Sequence, residues 1–151
     1  MEITPKILLQ NAELYEAESA LSVKDQEGNW HHTNWSDLYA EIMDISKALF
    51  ACGVGINDKV SIYSYNRKEW YAGYLAAQTI GGVAVGVYHT CSSQEVEWIV
   101  GNSDSKVVFV GDNPMDNGEK EKMPNHRILN ILDNLPQVET AVVMNGIEGV
   151  N

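Results

Sequence analysis

Lys59-Val60-Ser61-Ile62-Tyr63-Ser64-Tyr65, Val83-Ala84-Val85-Gly86-Val87-Tyr88 and Lys106-Val107-Val108-Phe109-Val110 are three short runs rich in β-branched and aromatic residues. The last two are apolar almost throughout. A strand with one wet face alternates polar and apolar side chains, so near-continuous apolar strands predict a sheet covered on both sides. The segments between them read as helices. Residues 67–80 carry Ala and aromatic side chains and end at Gly81-Gly82. Ser92-Ser93-Gln94-Glu95 has the form of a capping box, with Ser92 as N-cap and Glu95 three positions later. The helix it opens is expected to run to about Asn102. Strands alternating with helices predict a parallel sheet with right-handed crossovers.

Working outward, residues 125–135 read as a short helix stopped by Pro136, and residues 140–144 as a fourth strand. Residues 112–124 form a polar stretch with Gly, Pro and Asn, expected to be a mobile loop. Upstream, Asn34 is placed to cap a helix in which Leu38, Ile42, Ile45, Leu49 and Phe50 keep a 3.6 period and Gly53 takes the C′ position. Residues 20–24 and 29–33, joined through Asp25-Gln26-Glu27-Gly28, read as a β-hairpin, and residues 5–17 as an amphipathic helix with Pro5 in its first turn. The expected fold class is α/β: a parallel sheet of about four strands, helices on both faces, and an N-terminal hairpin as a satellite. The expected organisation is a helix and hairpin over 1–34, an α/β unit over 35–145 and a tail over 146–151.

The chain has 151 residues, 44% of them hydrophobic, and a net charge of −11 from 10 Lys and Arg against 21 Asp and Glu. That size suits one domain with its own core. Binding a phosphate backbone needs clustered cations, and the pair Lys120/Lys122 is interleaved with Glu119 and Glu121. Nucleic acid is therefore excluded as a partner, and an anionic membrane surface is disfavoured. Two cysteines cannot make a disulfide scaffold, and Cys52, in an apolar run, is expected in the core. The four tryptophans are expected in core or half-buried positions. The N-terminus lacks a signal peptide's basic start and apolar stretch, and the longest mostly apolar run, 74–88, is too short to span a bilayer. The expected location is the cytoplasm, with peripheral membrane contact allowed for a larger intact enzyme.

Gly53-Val54-Gly55-Ile56-Asn57-Asp58 resembles part of a dinucleotide fingerprint, but the third Gly is missing and the segment leads from a helix into a strand. It reads as a helix stop and turn. No G-x-x-x-x-G-K-[ST] loop occurs, so a P-loop enzyme is excluded. His31 and His32, adjacent on a strand, point to opposite faces and cannot easily share a metal. His89 and Cys91 alone do not make a zinc site. Asn34-Trp35-Ser36 matches a glycosylation acceptor but reads as a helix start. In open α/β sheets ligands gather at the carboxyl ends of strands. Those ends are Asn66-Arg67, Tyr88-His89-Thr90 and Gly111-Asp112, and the candidate substrate-side residues are Arg67, Tyr88, His89 and Thr90.

Several stretches in sequence order resemble the N-terminal part of the adenylate-forming, AMP-binding ligases, most closely the long-chain acyl-CoA synthetases. Asn34-Trp35-Ser36-Asp37-Leu38 opens the first of them. Asn57-Asp58-Lys59-Val60 is similar to the family's G-D-R-V turn, and Asn66-Arg67-Lys68-Glu69-Trp70 to its N-R-P-E-W helix start. Residues 81–93 resemble G-A-V-x-V-P-x-Y-P-T-S-S, and residues 102–110 resemble N-D-S-E-A-K-V-V-F-V. Asn57 replaces a Gly but tolerates a left-handed turn; Lys68 and His89 stand where Pro is common.

The resemblance implies an enzyme that activates a fatty acid with ATP and Mg²⁺ and passes the acyl group to CoA. The family's Ser/Thr/Gly-rich loop ending in Pro-Lys-Gly has no counterpart in these residues, nor has its catalytic Lys segment. The expectation is a structural segment with no catalytic, cofactor-binding or metal-binding residue of its own. ATP, Mg²⁺ and CoA belong to the intact ligase. The partners expected are the remainder of the ligase chain, fatty acid and CoA, with a homo-oligomer as a further option. The competing readings are a stand-alone interaction module and a flavodoxin-like small-molecule binder.

Overall fold

A computed structural model describes residues 4–25, 27–112, 119 and 122–144. The elements in order are α1 (Thr4–Leu14), β1 (Ser19–Lys24), β2 (Trp30–Asn34), α2 (Trp35–Ala51), β3 (Lys59–Ser64), α3 (Lys68–Thr79), β4 (Val83–Val87), α4 (Ser93–Asn102), β5 (Ser105–Gly111), α5 (Pro124–Leu129) and β6 (Thr140–Val143). A 3₁₀ turn, Leu132–Asn134, precedes β6. β1 and β2 pair antiparallel as the expected hairpin. The other four strands form one parallel sheet in the order β4-β3-β5-β6.

β3 and β5 are buried on both faces, whereas β4, expected from its apolar composition to be buried too, lies at the sheet edge with Val83 and Gly86 exposed and only Val87 fully buried. Val60, Ile62, Val107 and Phe109 belong to a core with α1, α2 and α3, through Leu8, Leu38, Ile42, Leu49, Ala72 and Ala76. The alternate residues Tyr63, Val108 and Val110 belong to a second core with α4 and α5, through Val96, Val100 and Ile128. Burial of each such side chain is worth about 1.5–3 kcal/mol. Ser61, between Val60 and Ile62, is also buried, and its hydroxyl meets that of Ser105 on β5 at 2.8 Å.

Local chemistry sets the element ends. Asn34 Oδ1 accepts from the Asp37 N–H at 2.7 Å and starts α2. Ser92 and Glu95 form the full capping box of α4. Asn57 adopts φ 66° in the turn between α2 and β3, the left-handed conformation that its short polar side chain tolerates. A Cβ on Gly82 would come within 3.0 Å of the Ala77 carbonyl oxygen, so this position closes α3 tightly against the start of β4.

Four further expectations need correction. Cys52 is exposed, because it caps the far end of α2 rather than facing the sheet, and Phe50 beside it is exposed too. Trp30 and Trp98 are exposed, while Trp35 and Trp70 pack partly buried on the first core. The first helix ends at Leu14 and buries Leu8 alone. The helix expected over 125–135 breaks into α5 and the 3₁₀ turn. Asn130, Asp133 and Asn134 favour turns over helix, while Ile128, Ile131 and Leu135 still reach the second core. Most of the loop expected to be mobile, namely 113–118 and 120–121, and the tail 145–151 lie outside the described residues.

Candidate functional site

α3 leaves the carboxyl end of β3 toward one face, and α4 leaves the neighbouring end of β4 toward the other. Such divergence opens a crevice outside the carboxyl edge of a parallel sheet. A pocket of about 250 Å³ sits there, lined by Tyr65, His89, Thr90, Lys122, Met123 and Arg127. His89 stacks on Tyr65, with ring centroids 3.8 Å apart and planes at 25°. His89 and Thr90 sit on the loop between β4 and α4, which Cys91 N–H closes onto the Tyr88 carbonyl at 3.0 Å.

Two arginines tie the strand ends together. Arg67 Nε donates to Glu69 Oε2 at 2.8 Å, and its Nη1 donates to the Asp112 carbonyl at the end of β5 at 3.2 Å. Burial pushes the Glu69 carboxyl up, but the bond from Arg67 and a backbone N–H outweigh it and hold the group below its ordinary range. Asp112 Oδ1 accepts from the Asn125 N–H at 2.8 Å, which fixes the start of α5. Arg127, on α5, donates from Nη1 to the carbonyls of Cys91 and His89 and to the Tyr63 hydroxyl. Tyr63 Oη in turn donates to the Cys91 carbonyl at 3.0 Å. Burial pushes the Tyr63 hydroxyl above its ordinary pKa, against the pull of Arg127.

The four sequence-selected residues do not form one site. His89 and Thr90 share the strand-end pocket. Arg67 lines a separate groove of about 840 Å³ between the hairpin and the start of α3, with Val23, Lys24, Trp30, Glu69 and Tyr71. Tyr88 is 79% exposed and lines neither. Sequence reasoning missed Tyr63 and Arg127. The signal for Tyr63 is a large aromatic phenol within a strand buried on both faces, which must find a polar partner. Arg127 carries no local signal, because its partner Tyr63 is 64 positions away.

The donors at the strand ends do not fit a magnesium–triphosphate group. Arg127 is engaged by backbone carbonyls, Arg67 is paired with Glu69, and Lys122 is paired with Glu119 at 2.9 Å. Among the described residues no three His, Cys, Asp or Glu side chains gather as metal ligands. No nucleotide chemistry is therefore assigned to them. Among the described residues no helix is long and apolar enough to cross a membrane.

The chain is 30% identical to the long-chain-fatty-acid–CoA ligase FadD15 of Mycobacterium bovis over 83 residues, which is 55% of this chain and 14% of that protein. It is also 30% identical over 90 residues to an uncharacterized protein of Mycobacterium tuberculosis, covering 60% of this chain and 51% of the relative. Its fold superposes on the coronafacic acid ligase of Pectobacterium brasiliense with a TM-score of 0.81 and 21% identity, over 99% of this chain and 27% of that one. The chain thus spans about a seventh of the curated ligase and about a quarter of the solved one. The family model described as AMP-binding enzyme matches residues 9–148, from α1 through the hairpin and every strand of the sheet. The chain belongs to the AMP-binding enzyme family.

Proposed function

We propose that this chain serves as the N-terminal, structural part of a fatty-acid–CoA ligase and performs no catalysis by itself. The carrying observation is the pairing of a sheet packed on both faces with a residue set lacking the chemistry. The sheet follows the ligase fold over nearly all of the chain, yet the 151 residues contain no Pro-Lys-Gly loop and the strand-end cations are already engaged. Adenylyl transfer depends on positioned Lys, Mg²⁺ and backbone donors around the phosphates. In the intact enzyme ATP-dependent acyl-adenylate formation and transfer to CoA are carried by other segments. This one supplies a wall on the fatty-acid side, with Arg67, Tyr88, His89 and Thr90 on its carboxyl edge. Its working partners are the remainder of the ligase, fatty acid and CoA, in a cytoplasmic or membrane-peripheral setting. Within it, 1–34 acts as helix and hairpin and 35–145 as the α/β unit.

A second reading is a stand-alone module that associates with itself or with a full-length ligase. It is favoured by the Mycobacterium tuberculosis relative, in which the 90 matched residues are already 51% of the protein. Incubation with ATP, Mg²⁺, CoA and a long-chain fatty acid is expected to release no AMP above an enzyme-free control. Release of AMP overturns the structural reading. Light scattering on the chain alone and mixed with a full-length fatty-acid–CoA ligase separates the two roles: a rise in mass in either sample supports the module, and unchanged masses in both remove it.

A further inference from the structure

The loop that lines the strand-end pocket through His89 and Thr90 has its backbone carbonyls held by side chains from elsewhere. The His89 and Cys91 carbonyls both converge on Arg127 Nη1, the former at 3.5 Å. The Tyr63 hydroxyl lies between them, accepting from Arg127 at 3.4 Å and donating to the Cys91 carbonyl at 3.0 Å. Arg127 belongs to α5, Tyr63 to β3, and the carbonyls to the loop between β4 and α4. Three elements thus meet at one guanidinium. The loop's own backbone bond is a single turn, Cys91 N–H to the Tyr88 carbonyl. Tyr88 projects into solvent. Hydrogen bonds from a charged donor are roughly twice as strong as neutral ones, so a guanidinium on two carbonyls is well suited to fix a loop.

We propose that Arg127, backed by Tyr63, is the positioning residue that fixes the loop bearing His89 and Thr90, and thereby sets the shape of the strand-end pocket. The residue works through the backbone and touches no reacting atom. A displacement of α5 would release the His89 and Cys91 carbonyls together, so α5 and the pocket move as one unit. This rests on the reading of the loop as a substrate-side wall, but the test below does not use turnover. A failed AMP assay and a failed loop assay are therefore separate results.

The two cysteines provide the measurement. Cys91 is partly buried on the clasped loop, and Cys52 is exposed at the end of α2 on the opposite face. Their alkylation rates by iodoacetamide, followed by peptide mass spectrometry, report locally on each region. Arg127→Met is expected to raise the Cys91 rate about tenfold, the effect of losing a well-made charged hydrogen bond. The Cys52 rate should stay unchanged. Arg127→Lys keeps one donor in reach and should restore most of the protection, and Tyr63→Phe should raise the rate about threefold. An unchanged Cys91 rate in Arg127→Met overturns the proposal. So does a parallel rise of Cys91 and Cys52, which would report general loosening of the fold, and so does an Arg127→Lys variant no better protected than Arg127→Met.

Discussion

The two faces of the sheet are closed in different ways. The first is covered by α2, of 17 residues, and α3, of 12, which approach closely through Ala72 and Ala76. One buried hydroxyl links them: Ser46 Oγ donates to the Ile42 carbonyl at 2.7 Å and reaches the Ala76 carbonyl at 3.2 Å. The second face is covered by α4, of 10 residues, α5, of 6, and a single 3₁₀ turn. Short helices gain little from their own backbone cooperativity. They are held here by groups that accept from their first N–H groups, Ser92 for α4 and Asp112 for α5, and by Arg127, which donates to loop carbonyls. The first face is built mainly by packing of long helices, with Ser46 and the Lys68–Glu41 pair at 2.8 Å as polar links between them, and the second combines packing with polar clasps at the edge where the pocket lies.

That difference predicts unequal responses to the same kind of damage. Ile62 sits on central β3, with ladders on both sides and no exposed surface. The backbone there cannot collapse into a cavity, so Ile62→Ala should cost about 4 kcal/mol. Ile128 is buried as well, but it rides on the six-residue α5, which can shift inward. Ile128→Ala should cost about 2 kcal/mol, near the low end for such truncations. Urea denaturation of the two variants measures both. Equal losses would break the comparison, because α5 would then be as fixed as the central strand.

The polar clasps should show intermediate effects. Ser92 Oγ accepts from the Glu95 N–H and donates to Glu95 Oε2 at 2.8 Å. Bonds from the Ser92 backbone and hydroxyl hold the Glu95 carboxyl below its ordinary pKa. Ser92→Ala removes the cap from a helix with few turns to spare and should cost about 1 kcal/mol. The loss should concentrate in amide exchange across the first turn of α4. A uniform loss across both faces would mean that the cap supports the whole fold rather than one lid.

Legibility in the sequence followed the same division. The apolar run on β5 declared a strand covered on both sides, whereas the equally apolar run on β4 did not reveal that this strand lies at the sheet edge with Val83 exposed. Asn34, Ser92 and Glu95 declared their helix starts because capping acts over three residues. Asn57 declared its left-handed turn for the same local reason. The break after Leu129 was hidden, since Ile128, Ile131 and Leu135 keep a spacing that one helix or two short pieces satisfy equally. Cys52 was misplaced because an apolar neighbourhood does not reveal that the helix end has run past the sheet. The pocket was legible through its loop, His89 and Thr90, but not through Arg127. Its contacts with that loop span 36 and 38 positions, and its contact with Tyr63 spans 64, which no local pattern encodes.

The smallest effect should come from the turn of the hairpin, which lies outside both cores although Ala20 and Leu21 of β1 pack on the first. Asp25 organises its turn: Oδ1 accepts from the Asn29 N–H at 2.8 Å, and Oδ2 meets His31 Nε2 at 2.7 Å. The bond to His31 first, and that to Asn29 second, lower the carboxyl from 3.8 to about 2. A carboxyl with a depressed folded pKa stabilises the folded state fully above its unfolded value and loses that contribution as pH falls through the folded one. The advantage of the native chain over Asp25→Asn should therefore be constant above about pH 4 and shrink steadily between pH 3.8 and 2. Urea midpoints of both proteins at pH 6, 4 and 3 provide the check. Because the Asp25 bonds to Asn29 and His31 are exposed to solvent, the difference should be small beside that of Ser92→Ala. An advantage that grows as the pH falls would have the wrong sign for a carboxylate held by donors. It would mean that the turn is ordered by the protonated acid, and that the hairpin does not share the charge-assisted construction seen on the second face.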